Sequence, residues 1–215
     1  MTSLVSRLLV IVGVVLAQTA CAPPTLRPLG GAAPAEIRLP AGDIGPGYRS
    51  VVFRWELTDR DLLVRGEGVS RIAPPDSARL DFFLAGGIGG GRAALIGDEL
   101  RTAAGADMID RLVPPAPLLW ATLGRLAVPP AADTAATVDG GLLRADIGRP
   151  VAWRVTFRGD SLVRLERVAA GRVVEWVDRK GGTVRYRHES SRRELVMTVT
   201  RTQPSTGFDA SIWRP

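Results

Sequence analysis

Few residues in this chain of 215 are of the types that carry out chemistry, and their spacing restricts what they can do. The single histidine, His188, precedes Ser190 and Ser191 in a predicted strand and turn. A Ser-His-Asp site would need a nucleophile-elbow pattern, which neither serine has, so a solvated strand histidine is the simpler interpretation. One histidine and one cysteine do not supply the ligands of a zinc site. We therefore expect no enzyme activity, no metal and no cofactor.

Two other patterns look like sites but have simpler explanations. Asp107 and Asp110 lie three residues apart on a predicted helix, where a carboxylate pair could do acid–base work. On the polar face of a short helix such residues more commonly provide solvation and complement the helix dipole. The glycine-rich residues 86–92 would cradle a phosphate only if a helix followed them. A strand is predicted there instead, so residues 86–92 are interpreted as a mobile hairpin.

Cys21, the only cysteine, follows a segment with the features of a secretory signal peptide. Residues 8–17 form an apolar run too short to span a bilayer, and Arg7 is the only charged side chain before it. The sequence LAQTAC that ends at the cysteine resembles a bacterial lipobox, with Gln18 in place of the usual leucine. Residues 1–20 are therefore predicted to be a lipoprotein signal peptide and Cys21 the lipid anchor. The alternative is a buried, unmodified cysteine.

Composition divides the remainder of the chain into two parts. Residues 21–47 are rich in Pro, Gly and Ala, which is typical of a tether. Such a tether would reach about 30 Å as a flexible coil and about 80 Å fully extended. Residues 48–215 are long enough for one domain with a substantial core.

The basic character of the chain does not indicate nucleic-acid binding. The formal net charge is +6, with 28 Lys and Arg residues, of which Lys180 is the only lysine. The arginines are spread along predicted strands beside Asp and Glu, and no aromatic–basic motif is present. Attraction to an anionic membrane surface is compatible with this charge and is nonspecific. We therefore exclude nucleic acid as a partner and retain the membrane.

Alternating apolar residues predict strands before and after a central helical region. Before it, the predicted strands are residues 51–57, 62–72, 78–84, 92–96 and 100–102; after it, they are 153–158, 162–168, 172–178, 184–188 and 195–199. The first predicted helix covers residues 107–112. The second begins at Pro117, continues through Leu126 and stops at the Pro129–Pro130 pair, and residues 131–141 are predicted to be a loop.

The order of meander, helices and meander is similar to that of a known superfamily. The stretch GEGVSRIAPPDSARLDFF, followed by GDEL at residues 97–100, resembles the LolA/LolB superfamily of periplasmic lipoprotein and lipid carriers. The resemblance implies a mainly β fold, a large antiparallel half-barrel of about eleven strands covered by a few short helices. In that superfamily the space between sheet and helices holds acyl chains, and LolB-type members are themselves outer-membrane lipoproteins. One departure is that no protruding apolar loop like that of LolB can be identified.

Strand parity then predicts which side chains line that apolar space. The predicted lining residues are Phe53, Trp55, Leu80, Phe82, Leu84, Leu119, Trp120, Leu123, Trp153, Val155, Phe157, Val174, Trp176, Leu195 and Met197. The alternative is that these side chains form a dry core, as is common in soluble domains.

These features together predict a noncatalytic lipoprotein of the outer membrane that faces the periplasm. As a carrier or sensor, it is expected to bind the acyl chains of a lipid or lipoprotein. It is expected to contact the membrane through the anchor at Cys21. The alternative function is a structural lipoprotein with a filled core that scaffolds an envelope assembly. Protein partners in the envelope would then be needed, and the sequence does not identify them.

Overall fold

The computed structural model describes residues 25–30, 39–40, 44–86, 90–102, 111–129, 131 and 133–214. In chain order the elements are β1 (Tyr48–Asp59), β2 (Leu62–Ala73), β3 (Ser77–Leu84), β4 (Gly90–Ile96), β5 (Glu99–Thr102), α1 (Ala116–Leu123), β6 (Thr134–Asp139), β7 (Leu142–Ile147), β8 (Trp153–Arg158), β9 (Ser161–Ala169), β10 (Arg172–Lys180), β11 (Thr183–His188), β12 (Arg193–Ser205) and a final 3-10 helix (Ala210–Trp213). Residues 111–112 are also helical.

All of these strands belong to one antiparallel sheet. Its order is β5-β4-β3-β2-β1-β12-β11-β10-β9-β8-β7-β6, so the first and last strands of the chain pair near its centre. Tyr48 lies opposite Ser205 and Thr58 opposite Glu194 in that central pair. Helix α1 contacts β9, β10 and β11. The predicted antiparallel half-barrel with a helical cover is therefore confirmed, with twelve strands in the described residues rather than about eleven.

Aromatic side chains on β1 lie across glycines on β2. Phe53 and Trp55 are buried and stand opposite Gly68 and Gly66 in the register of the two strands. A Cβ atom at Gly68 would lie 2.4 Å from the Phe53 ring, and one at Gly66 would lie 2.6 Å from the Trp55 ring. Both rings also meet Phe82 of β3 edge to face, with centroids 5.6 and 5.9 Å apart. The alternation predicted for these strands thus builds one side of the core.

The loop predicted for residues 131–141 is instead largely a strand. β6 occupies residues 134–139 and forms a hairpin with β7 through Gly140 and Gly141. β6 is an edge strand with the sequence TAATVD, in which apolar and polar residues do not alternate, and Val138 is 64% exposed. A strand that buries little apolar surface carries no period-2 signal, which is why the sequence pattern missed it.

Helix α1 is shorter than predicted. It begins after Pro115, has proline in its first turn and ends at Leu123, whereas the apolar spacing predicted that it would continue to Leu126. Gly124 adopts a left-handed conformation with φ of 95°, and its N–H donates to the carbonyl of Ala121. A glycine in this conformation closes the last turn at no steric cost, so it stops the helix before the prolines are reached.

Two described parts of the proline-rich N-terminal region contact the sheet. The Leu26 N–H donates to Gly171 O at 2.7 Å, and the Leu29 N–H donates to the Asp146 carboxylate at 2.8 Å. A cavity of about 400 Å³ lies between residues 26–29 and the β7–β8 region. Ile44 is 3% exposed and belongs to the hydrophobic core. These contacts fall within the region that the sequence predicts to be a tether.

Candidate functional site

Helix α1 packs on one face of the sheet and is deeply buried there. Residues 118–121 have no exposed surface, although they include both large and small side chains. Trp120 donates its indole N–H to the carbonyl of Gly97, at the turn between β4 and β5, over 2.6 Å. The helix is therefore joined to the first meander by a hydrogen bond and to the second by apolar packing on β9, β10 and β11. The interior directly beneath it is packed.

Most side chains predicted to line an apolar space belong to this packed core. They are Phe53, Trp55, Leu80, Phe82, Leu119, Trp120, Val155, Phe157, Leu195 and Met197. Leu84, Leu123 and Trp153 are partly buried and pack against the same core. Val174 and Trp176 lie outside it. Among the five strands for which parity was used to choose lining residues, the chosen residues lie in or against the core on β1, β3, β8 and β12 but not on β10.

The structure reverses the face predicted for β10. Glu175 and Val177 are buried, whereas Val174 and Trp176 are only partly covered. Glu175 can be buried because its carboxylate accepts a hydrogen bond from the Tyr186 hydroxyl at 2.7 Å on the neighbouring strand. The sequence pattern placed this acid outside because no partner for it could be identified from spacing alone. Val174 and Trp176 are therefore removed from the set of inward-facing residues.

An open cavity of about 540 Å³ lies beyond the C-terminal end of α1, and we call it the helix-end cavity. Its lining comprises Ile44, Gly45, Arg49, Val51, Phe53, Ser70, Ile72, Leu80, Thr122, Leu123, Gly124, Asp160, Ser161, Leu162, Val163, Arg179, Lys180, Gly181, Gly182, Thr183, Val184, Met197, Val199 and Thr202. The volume is within the range of small-molecule and cofactor sites.

The helix-end cavity has an apolar interior and a polar opening. Phe53, Ile72 and Leu80 line its inner part and are at most 3% exposed. The turns between β8 and β9 and between β10 and β11 form its rim, where Asp160 and Lys180 are exposed. Of the residues predicted from parity, the cavity includes Phe53, Leu80, Leu123 and Met197, and it does not include the others. An elongated ligand could enter with an apolar part first and leave a polar part at the rim.

Two partly buried arginines, Arg49 and Arg179, also line this cavity. Arg179 donates hydrogen bonds from Nη1 to the carbonyl oxygens of Ala121 and Thr122, which both lie in the last turn of α1. Burial lowers the pKa of Arg179, and the positive charge of Arg49 lowers it further. Burial also lowers the pKa of Arg49. The two guanidinium groups are therefore partly desolvated and close enough to repel each other.

Ser70 adds a buried hydroxyl to the same wall. Its side chain is on the inward face of β2 and the residue is 1% exposed. Within the described residues its Oγ has no hydrogen-bond partner. Buried hydroxyls are usually paired, so an unpaired one that faces a cavity is available to a ligand or to water.

The sequence did not identify Arg49, Arg179 and Ser70, although one signal was present. Ser70 shares the inward parity of Gly66, Gly68 and Ile72 on β2, so alternation alone places its hydroxyl on the apolar face. A serine at such a position is a polar group that needs a partner. No comparable signal exists for the arginines, since many arginines occur along these strands.

His188 belongs to a separate cluster around Glu175. Ser191 approaches His188 Nδ1 with both its hydroxyl, at 3.1 Å, and its backbone N–H, at 3.3 Å, within one tight turn. His188 Nε2 lies 3.9 Å from the Glu175 carboxylate. That carboxylate is already engaged by Arg167 at 2.5 Å and by the hydroxyl of Tyr186. Desolvation and the Glu175 hydrogen bond raise the pKa of Tyr186.

The geometry of the His188 turn favours a structural role. The backbone N–H of Ser191 points at Nδ1, so this nitrogen serves as an acceptor within the turn. The Ser190 hydroxyl is also near Nδ1, at 3.3 Å, and both serines are held by the chain itself rather than by a separate element. The cluster therefore ties the β11–β12 turn to the buried acid of β10.

Several predicted features fall outside the described residues. These are the signal peptide, Cys21, Asp107, Asp110 and residues 87–89 of the glycine-rich stretch. Across the described ranges, no group of His, Cys, Asp and Glu side chains is arranged to hold a metal ion. The helices in those ranges include none with the length and apolar character needed to cross a membrane.

Solved structures with this architecture have little sequence in common with the chain. No protein-family model and no curated protein sequence matches it. A LolA superfamily protein from Nitrosomonas europaea has a TM-score of 0.50 and 10% identity, over 79% of this chain and 90% of that one. An outer membrane lipoprotein-sorting protein domain from Vibrio parahaemolyticus has a TM-score of 0.45 and 8% identity, over 80% of this chain and 92% of that one. A DUF1329 family protein from Desulfovibrio piger has a TM-score of 0.44 and 10% identity, over 78% of this chain and 89% of that one.

The comparison with the Nitrosomonas europaea structure shows that this chain has a LolA-like fold. The resemblance noted in the sequence is thereby confirmed for the architecture. At such low identity a shared fold does not transfer ligands or partners from one protein to the other.

Proposed function

We propose that this protein is a noncatalytic envelope lipoprotein, anchored in the outer membrane through Cys21, that shelters an acyl chain as a carrier or sensor. The observation that carries the proposal is the helix-end cavity, which has an apolar interior between the sheet and the end of α1. The LolA-like fold supports it, because the resemblance implies acyl binding between sheet and helices. The cargo would be a lipid or the acyl chains of a lipoprotein.

Burial of a single acyl chain is sufficient to explain binding without catalytic groups. A chain of about fourteen CH₂ groups gains roughly 11 kcal/mol when it leaves water, before the costs of ordering are subtracted. The interior residues Phe53, Ile72 and Leu80 supply the apolar surface that such a chain requires. The rim remains open, so the ligand can exchange with a membrane or with a partner protein.

Narrowing the cavity should weaken acyl binding without destabilising the fold. Leu123 lines the helix-end cavity at the last residue of α1 and is only partly buried. We expect Leu123→Trp to lower the affinity for a fluorescent fatty acid by about tenfold or more, because the indole occupies ligand space, with the midpoint of thermal unfolding almost unchanged. Binding is measured on the full lipidated chain in phosphatidylcholine discs, with protein-free discs as the blank.

The matched control enlarges a side chain in the packed core instead. Ala93 on β4 is 1% exposed and does not line the helix-end cavity. Ala93→Phe should lower the free energy of unfolding by about 1 to 3 kcal/mol, because the core has no room for the ring. If the wild-type protein binds no fatty acid, the alternative function, a scaffold with a filled core, is supported by the packing beneath α1. Unchanged binding in Leu123→Trp would place any ligand elsewhere.

The membrane anchor can be tested independently of the cavity. We expect Cys21→Ser to leave the domain folded and to move the protein into the soluble periplasmic fraction. The acyl chains on the cysteine supply nearly all of the membrane affinity in this proposal. The measurements are incorporation of labelled palmitate and the distribution of the protein between density-separated membranes and the soluble fraction. Recovery of the variant in the outer membrane at wild-type levels would overturn the assignment of the anchor.

A further inference from the structure

The helix-end cavity carries more positive than negative charge. Its lining includes Arg49, Arg179 and Lys180 but only one carboxylate, that of Asp160. Asp160 and Lys180 are exposed at the rim, whereas both arginines are partly buried. Exposed charges are screened by water, so the two arginines determine the electrostatics of the cavity wall.

The partial burial of these arginines is not compensated by nearby acids. No carboxylate contributes to the pKa of Arg49 or of Arg179 in the described residues, and burial lowers the pKa of each. Two cations that repel each other in a partly desolvated wall are unfavourable in the empty cavity. An anion between them would remove the repulsion and accept hydrogen bonds from both guanidinium groups.

Both guanidinium groups lie beside glycines of the cavity lining. A Cβ atom at Gly124 would lie 3.3 Å from Arg179 Nη2, and one at Gly45 would lie 3.5 Å from Arg49 Nη1. Arg179 uses Nη1 for the carbonyl oxygens at the end of α1, and its Nη2 lies beside Gly124. The unpaired Oγ of Ser70 provides a further polar group on the same cavity wall.

We propose that Arg49 and Arg179 form an anion-binding site near the opening of the helix-end cavity, which holds the phosphate or carboxylate head group of the bound acyl ligand. This inference rests on the proposed acyl-binding function and adds the chemical class of the ligand. The acyl chain lies against the apolar interior and the anion lies between the guanidinium groups. Neutral and zwitterionic lipids of the same chain length are then poorer ligands.

Ligands that differ only in the head group test the inference. Hexadecyl phosphate, palmitate, hexadecanol and lysophosphatidylcholine compete with a fluorescent fatty acid for the full lipidated chain in phosphatidylcholine discs. We expect the two anions to bind about tenfold tighter than hexadecanol, the change that one charge-assisted hydrogen bond produces. Inorganic phosphate alone should not displace the probe at comparable concentrations, because it lacks the apolar chain.

Variants of Arg49 separate the head-group site from the acyl cavity. Arg49→Gln should reduce the preference for hexadecyl phosphate over hexadecanol to less than about a third of the wild-type ratio, and this ratio cancels any change in affinity that is common to both ligands. Arg49→Lys should retain most of the preference, because it keeps the charge. Arg144→Gln is the matched control, since it removes the same charge from an exposed position on β7 outside the cavity. Arg179→Lys provides a second variant that preserves charge beside α1.

The outcomes distinguish this inference from the proposed function. Equal affinities for hexadecanol and hexadecyl phosphate would overturn the anion site but leave the acyl cavity supported. A wild-type protein that binds none of the acyl ligands would overturn both. Arg49-dependent binding of inorganic phosphate as tight as that of hexadecyl phosphate would show a site for a free anion, and the lipid head group would be the wrong ligand. An equal loss of preference in Arg144→Gln would attribute the effect to net charge.

Discussion

Gly66→Ala is expected to lower the free energy of unfolding by about 3 kcal/mol, at the upper end of the cost of overpacking a core. The added Cβ would lie 1.9 Å from the backbone oxygen of Phe83 and 2.6 Å from the indole of Trp55. A backbone oxygen in the middle of a sheet cannot move away without breaking the pairing of β2 with β3. The Trp55 ring is also fixed, since its N–H donates to the Glu67 carbonyl at 2.9 Å.

Urea unfolding followed by tryptophan fluorescence measures this effect. Gly30→Ala is the matched control, because no atom lies within 4 Å of the Cβ it adds and the backbone there is not left-handed. It should change stability by less than about 1 kcal/mol, the scale of a Gly-to-Ala change in an unhindered position. Gly68→Ala, whose Cβ would lie 2.4 Å from the Phe53 ring, should also destabilise the protein. A Gly66→Ala variant as stable as Gly30→Ala would contradict the described packing of β1 on β2.

Asp146→Ala is expected to destabilise the protein by about 3 to 5 kcal/mol, the cost of breaking a buried ion pair by removal of one partner. Asp146 on β7 is 3% exposed and binds the Arg154 guanidinium at 2.6 and 2.9 Å through its two carboxylate oxygens. The hydrogen bond to Asp146 holds the pKa of Arg154 above its ordinary value. Without the carboxylate, a cation remains in a largely buried position and the Leu29 N–H loses its acceptor.

A second pair with the same separation provides the control. Arg65 and Glu56 also lie 2.6 Å apart, but their side chains are 65% and 42% exposed. Glu56→Ala should therefore cost no more than about 1 kcal/mol, as is usual for a surface ion pair. Urea unfolding of both variants and hydrogen exchange at the Leu29 amide measure the difference. Similar small losses in both variants would mean that Asp146 does not hold the N-terminal segment on the sheet.

The extent to which the sequence predicted the fold depended on how much apolar surface each strand buries. β1, β3 and β8 each bury alternate large side chains, so their period-2 pattern was sufficient. β6 buries little and was missed, although a glycine pair follows it at residues 140–141. The end of α1 was misplaced because the leucine spacing continues to Leu126, past the left-handed Gly124.

The site was harder to predict, because the alternation of residue types along a strand indicates which way a side chain points but not whether the space around it is filled. Parity placed both Phe53 and Trp55 inward, yet only Phe53 borders the helix-end cavity. The cavity lies where the turn at residues 159–160 and the turn at residues 181–182 meet the end of α1, and nothing in the local sequence specifies that contact. The inward position of Glu175 was missed for a related reason, since its partners Arg167 and Tyr186 lie on other strands.

The pairing of β1 with β12 also constrains the order in which the chain can assemble. Each half of the sheet is a meander whose neighbouring strands are close in sequence, so either half can pair locally as soon as it is available. The contact between Tyr48 and Ser205 closes a loop that includes almost the whole domain, and it must wait for the last strand. Until then β1 has one unpaired edge that is open to pairing with another chain. The period before β12 is complete is therefore when this protein most needs protection from aggregation.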